Sequence, residues 1–94
     1  MSIAASSKIF IDNDTTCVTE WRFAPGAETG WHRHAYNYVV VPMMDGRLRI
    51  DTAHDQSVYA DMKSGEPYYR EAGVEHNVIN ASEHEYAFIE VEFK

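Results

Sequence analysis

The sequence holds one cysteine, three prolines, eight basic residues and no long uninterrupted apolar run. Each shortage excludes something. A lone thiol, Cys17, cannot close an internal disulfide, and its place in the alternating run Thr15 to Phe23 marks it as a small strand residue rather than a nucleophile. No window approaches the ~20 apolar residues of a membrane-spanning helix, so a membrane role drops out. Eight Lys and Arg against fifteen Asp and Glu leave a formal charge of −7, with the cations scattered. Nucleic acid, which binds through clustered cations that release counterions, is thereby excluded as a partner. Met1 is followed by Ser-Ile-Ala-Ala-Ser-Ser-Lys, without the basic-then-apolar order of a secretory leader, and a cytoplasmic location is expected.

Helical periodicity is also missing. Pro25, Pro42 and Pro67 interrupt the places where a helix might otherwise be tried. What is there instead is a series of short strand-like runs bounded by turn residues: Lys8 to Ile11, Thr16 to Phe23, Tyr38 to Met43, Arg47 to Asp51, Val58 to Met62, Tyr68 to Arg70, Asn77 to Ile79 and Tyr86 to Phe93. Asp45-Gly46 stands between two of them, and Asp-Gly tolerates the positive φ angles of a type I′ hairpin turn. The 94 residues form a single domain, 1–94, of all-β class, and evenly spaced short strands favour a barrel or sandwich. In YAFIEVEFK, residues Ile89, Val91 and Phe93 share one face, and Phe88, Glu90 and Glu92 the other. The pattern does not decide whether Glu90 and Glu92 face bulk water or a cavity; solvent is the expectation, because carboxylates are seldom buried without partners. Glu20 and Arg22, opposite Trp21 and Phe23, are expected at the surface in a cross-strand ion pair.

The chemistry concentrates in GWHRHAYNYVVVP, where His32 and His34 lie one residue apart, and in GEPYYREAGVEHNVIN, which carries His76. Residues i and i+2 of a strand face the same way. Neutral imidazole is a ligand for zinc, nickel, copper and iron, and two rings from one strand plus a third from a neighbour can close one face of a coordination polyhedron. His54 and His84 sit in polar, turn-like stretches and are expected to be solvated. Tyr36 and Tyr38 share the parity of the two histidines if the strand runs straight. Either hydroxyl would then act on a bound oxygen or as acid/base, or else pack with its tip outward. Arg70 beside the second stretch is either a partner for a substrate carboxylate or a surface residue.

Gly26, His32, His34 and Gly46, followed by Gly65, Gly73, His76 and Asn80, resemble the two motifs of the cupin superfamily, G-x5-H-x-H-x3,4-E-x6-G and G-x5-P-x-G-x2-H-x3-N. The resemblance implies a cupin-type double-stranded β-helix, a jelly-roll-like barrel. It implies His32, His34 and His76 as ligands of a divalent transition metal, iron, manganese, nickel or zinc. The stretches TEWRFAPGAETGWHRHAYNYVVVP and HEYAFIEVEFK look like the small cupins associated with β-alanine degradation. Two positions depart from the pattern. Val39 or Tyr38 stands where the family has glutamate, and Glu71 stands for proline. Three neutral imidazoles leave an ion its full charge, which suits an anionic ligand. The expectation is a metal-dependent enzyme, dioxygenase- or isomerase-like, acting on a small carboxylate or dicarbonyl compound. Tyr38 is its candidate catalytic residue, and Tyr36 and Arg70 its candidate substrate-binding residues. The alternative is a binding or sensing module without turnover. The run Lys8 to Ile11 is a plausible edge strand to add to a partner, and a homodimer is expected.

Overall fold

Alternating side chains and frequent turns make strands of every expected segment. The computed structural model describes residues 3–94, and no helix is found among them. Eleven strands are present: β1 Ile3–Ala4, β2 Ser6–Asp12, β3 Thr16–Phe23, β4 Ala27–Glu28, β5 His32–Arg33, β6 Asn37–Pro42, β7 Gly46–Thr52, β8 Gln56–Met62, β9 Tyr68–Arg70, β10 Glu75–Asn80 and β11 Tyr86–Phe93. They form two facing sheets. One runs β1-β4-β10-β7-β8, with β5 also paired to β10; the other runs β2-β3-β11-β6-β9. This is the expected double-stranded β-helix.

Between the sheets lie Phe23, Ala27, Tyr38, Val40, Leu48, Val78, Tyr86 and Phe88. The Phe23 ring packs 5.5 Å from Phe88 and 6.3 Å from Tyr86, centroid to centroid. Each such aromatic contributes about 1.5–3 kcal/mol by leaving water. The end of the barrel nearest Tyr86 is therefore solid, and the opposite end has room for a cavity.

Asp45-Gly46 does not close a hairpin. β6 pairs with β11 and β9, whereas β7 pairs with β10 and β8, so the dipeptide carries the chain from one sheet to the other. Gly46 is needed for space: a Cβ there would stand 2.4 Å from Cδ1 of the fully buried Tyr86 ring. The hairpin lies instead between β7 and β8, where Thr52 pairs with Gln56 and the turn places His54 at φ 65° and Asp55 at φ 56°. His54 and His84 are exposed, as expected. Asn80 is 1% exposed, and its amide donates to the carbonyls of Phe23, Ala24 and His84 while its Oδ1 accepts from the Ser82 N–H. It thus ties two loops to β10. Glu20 and Arg22 pair with each other at 3.0 Å along one strand on the outer face rather than across strands.

The glutamates of β11 reverse the expectation. Directly opposed residues of an antiparallel pair lie on the same side of the sheet, and the register sets Phe88, Glu90 and Glu92 between Trp21, Thr19 and Cys17 of β3 and Pro42, Val40 and Tyr38 of β6. Trp21, Thr19, Val40 and Tyr38 are inward-facing residues, so Glu90 and Glu92 face the interior; Glu90 is only 8% exposed. Ile89 and Val91 occupy the outer face and are half-buried, and Phe93 is exposed.

Candidate metal centre

His32 and His76 are brought together by strand pairing. β5 lies antiparallel to β10 with His32 opposite His76, which puts both rings on one face. His34 follows just after β5. Its N–H donates to the Val74 carbonyl and its own carbonyl accepts from the Gly73 N–H, at 2.9 and 2.8 Å. Gly73 adopts φ +99°, a conformation strained for any residue with a Cβ, and so allows the loop before β10 to grip His34.

The three rings meet through their Nε2 atoms. His34 Nε2 lies 3.0 Å from His32 Nε2 and 3.1 Å from His76 Nε2. The ring planes cross at 78°, 69° and 87°. Donors about 2.1 Å from a shared ion are about 3.0 Å apart at right angles and about 3.4 Å apart in a tetrahedron. The two distances from His34 match the right-angle case, and all three ligand nitrogens lie close enough to share one ion. The donor set therefore fits a divalent transition metal, and imidazole suits iron, nickel, copper and zinc alike.

Neighbouring groups prepare the lone pairs. His32 Nδ1 lies 2.9 Å from the Gly30 carbonyl, which can only accept, so this nitrogen carries the proton and Nε2 is left with its lone pair free. Gly30 is held by its N–H donating to Asn77 Oδ1 at 2.9 Å, and Thr29 Oγ1 donates to the same carbonyl that His32 uses. Burial lowers the pKa values of His34 and His76 to about 4, helped by the charge of His32 and, for His76, of His34 and Arg70. Both rings are neutral at pH 7, as ligands must be.

The centre opens on a cavity of about 570 Å³ between the sheets, walled largely by apolar side chains such as Leu48, Ile50, Val78 and Phe88. Tyr38 is 2% exposed and its ring stacks on His34 at 3.9 Å. Burial first, then the neighbouring Tyr68, Glu90 and Glu92, raises the pKa of its hydroxyl well above the usual phenol value. Arg70 reaches the cavity wall from β9, with its guanidinium 4.8 Å over the Tyr68 ring and one N–H donated to the Tyr69 carbonyl. Tyr36 lies outside the cavity and is 39% exposed, because β5 ends at Arg33 and the chain bends before β6 begins in the other sheet.

Sequence reasoning missed four residues of this region. Thr29 and Asn77 orient His32 from a loop and a strand whose polar side chains carry no motif. Glu90 and Glu92 bring carboxylates where none was expected, and their oxygens lie within 4.8 Å of each other and of a His34 nitrogen. Burial, followed by the charge of Glu92, raises the pKa of Glu90 to about 7. Glu92 is also raised, chiefly by burial.

A model of the Cupin domain family matches residues 19–92. The chain is similar to the β-alanine degradation protein BauB of Pseudomonas aeruginosa, with 57% identity over 84 residues, 89% of this chain and 87% of the relative. A crystal structure of a cupin domain from Bordetella pertussis superposes with a TM-score of 0.95 at 50% identity, covering 100% of this chain and 97% of the other. A cupin superfamily protein from Desulfitobacterium hafniense shares the fold alone, with a TM-score of 0.73 at 14% identity over 99% of this chain and 80% of its own. With the family match spanning most of the sequence, this chain belongs to the cupin family.

Proposed function

We propose that the chain is a metal-dependent enzyme that holds a divalent transition metal on His32, His34 and His76. Its substrate is a small carboxylate or dicarbonyl compound, and the reaction is dioxygenase- or isomerase-like. The observation that carries this is the 3.0–3.1 Å convergence of Nε2 atoms at a cavity of metabolite size. When bound, the ion supplies Lewis acidity or an oxygen-activating centre.

The chain supplies the rest. The Tyr38 hydroxyl, its pKa raised by burial, stays protonated and donates a hydrogen bond to a ligand oxygen; it is not a base. Arg70 keeps guanidinium donors beyond the one given to Tyr69 for a ligand carboxylate. The apolar walls exclude water from the reacting atoms. The name of the Pseudomonas relative supports a place in β-alanine degradation.

Product formation from a panel of short carboxylates and dicarbonyls tests the assignment. Turnover should vanish after chelation, return with one metal and be absent in His76→Ala; unchanged turnover in that variant would overturn it. One observation favours a second reading, a ligand-binding module without turnover: positions 38 and 39, where the motif has glutamate, hold Tyr and Val. Tight ligand binding by the metal-free protein, with no product from any candidate, would select it.

A homodimer is part of the same proposal. β2 is a sheet edge whose seven residues are all exposed, Ile9, Phe10 and Ile11 among them, and it continues into the outer face carrying Val18, Val39, Val41, Ile89 and Val91. A second copy is the occupant that this apolar edge and face fit. Sedimentation should give a dimer that Phe10→Lys dissociates. A monomer at micromolar concentration would refute it.

A further inference from the structure

The three histidines leave unused the most costly feature of the cavity. Glu90 is 8% exposed, and among the described residues its carboxylate makes no hydrogen bond and no ion pair. Glu92, two residues along the same face, projects into the same cavity and is equally unpaired. The Tyr38 hydroxyl is a third, independent case. It sits on β6, where Tyr38 is the register partner of Glu92, the side chain is 2% exposed and lines the cavity, and among the described residues its oxygen has no hydrogen-bond partner. A buried polar group without a partner is unfavourable, and a buried charge more so. Glu90 and Tyr38 are nearly buried, Glu92 is half-buried and all three line the cavity, so these unpaired groups around one space point to a ligand that supplies what the chain withholds. The sealed polar atom without a partner among the described residues is the Tyr86 hydroxyl, which does not line this cavity.

We propose that Glu90, Glu92 and the Tyr38 oxygen form a subsite for a protonated amine, so that the ligand carries an ammonium group at one end and a metal-seeking anionic group at the other. This rests on the metal centre proposed above and deepens it by naming the substrate class. The cations of the chain do not serve the glutamates: Lys94 pairs with Asp12, Arg22 with Glu20 and Glu85, Arg49 with Asp51, and Arg70 lies over Tyr68. An ammonium has three donors and needs three acceptors. Acceptors about 2.8 Å from one nitrogen at tetrahedral angles stand about 4.6 Å apart, and the two carboxylates approach within 4.8 Å. The same limit holds from each carboxylate to His34, so the amine subsite borders the metal centre. A short molecule therefore reaches both. Arg70, opposite Tyr38 in the β6–β9 register with its guanidinium turned over the Tyr68 ring, and Arg33 in the wall offer nothing to a cation and suit the anionic end of such a ligand.

The test uses the full chain loaded with zinc and three probes that differ only at their ends: β-alanine, propionate and propylamine, titrated by calorimetry. β-Alanine should bind at least tenfold more tightly than either of the others. Glu90→Gln and Glu92→Gln, which keep shape and remove charge, should each weaken β-alanine at least tenfold while leaving propionate and zinc affinities within about twofold. Equal binding of propionate and β-alanine, or unchanged β-alanine binding in both variants, would overturn the subsite. So would a tenfold loss of zinc affinity in the variants, which would make the carboxylates metal ligands. If the parent takes up no zinc, the metal reading has failed by itself. The subsite then stands only if propylamine binds the metal-free protein and Glu90→Gln removes that binding, and it falls if either does not occur.

Discussion

Metal binding should raise the melting temperature of this protein by an amount that follows from its size. A ligand that binds only the folded state at 100 times its dissociation constant stabilises by about 2.7 kcal/mol. The unfolding entropy of a 94-residue domain is about 0.2 kcal/mol/K, so the melting temperature of chelator-treated protein should rise by about 14 °C. Nickel or zinc should produce the shift. Magnesium, which prefers oxygen ligands, should not. If removing one imidazole weakens binding about hundredfold, the gain at the same metal concentration falls to about 0.4 kcal/mol, about 2 °C. Differential scanning fluorimetry of His76→Ala checks this, with His84→Ala as a control, since His84 is exposed and remote from the cavity. A full shift in His76→Ala, or none in the parent with any transition metal, would refute the reasoning.

Other consequences are equally concrete. Gly46→Ala forces a methyl to within 2.4 Å of the Tyr86 ring, which is fully buried, and should cost about 1–3 kcal/mol of overpacking strain, seen as a lower urea midpoint. Asn80→Ala removes two buried N–H donors, one shared between the Phe23 and Ala24 carbonyls, and one acceptor, and should cost about 2–3 kcal/mol at roughly 1 kcal/mol per bond; an unchanged urea midpoint would show that the loops are held otherwise. Stability of the metal-free protein should fall in acid. His34 and His76 have folded pKa values of about 4, below the ~6.5 of the unfolded chain, so the unfolded state binds more protons and stability is lost as pH drops through that window. Glu90, raised to about 7, acts oppositely, its contribution being present below the unfolded value and lost as pH rises. Glu92, also raised, acts in the same sense as Glu90, and the two rings outweigh the carboxyls, leaving a net loss of at most about 1 kcal/mol per pH unit between pH 6 and 5. Urea titrations at the two pH values check the sign, and greater stability at pH 5 would contradict it.

The strands were legible because each is a short alternating run closed by turn residues, and the histidines because their spacing reflects how β5 and the Gly73 loop must meet β10. What escaped depends on neighbours distant in sequence. Asp45-Gly46 has the chemistry of a hairpin turn, but only the pairings of β6 and β7 show that it crosses between sheets and that its glycine makes room for Tyr86. The two-residue strands β1, β4 and β5 are too short to show a period. In β11 both faces carry apolar residues, so alternation alone could not orient it. Phe88 travels inward with Glu90 and Glu92, and the general rule that carboxylates face water fails where the interior is a cavity with unmet needs. Tyr36 illustrates the converse, since parity holds only along a continuous strand and the chain bends between β5 and β6.

The central claim is that one transition-metal ion sits on the three Nε2 atoms. Crystals grown with nickel or zinc, with diffraction recorded on both sides of the metal absorption edge, test it directly. The account expects a single anomalous peak about 2.1 Å from Nε2 of His32, His34 and His76; no peak there, or one bound by Glu90 and Glu92 alone, would contradict it.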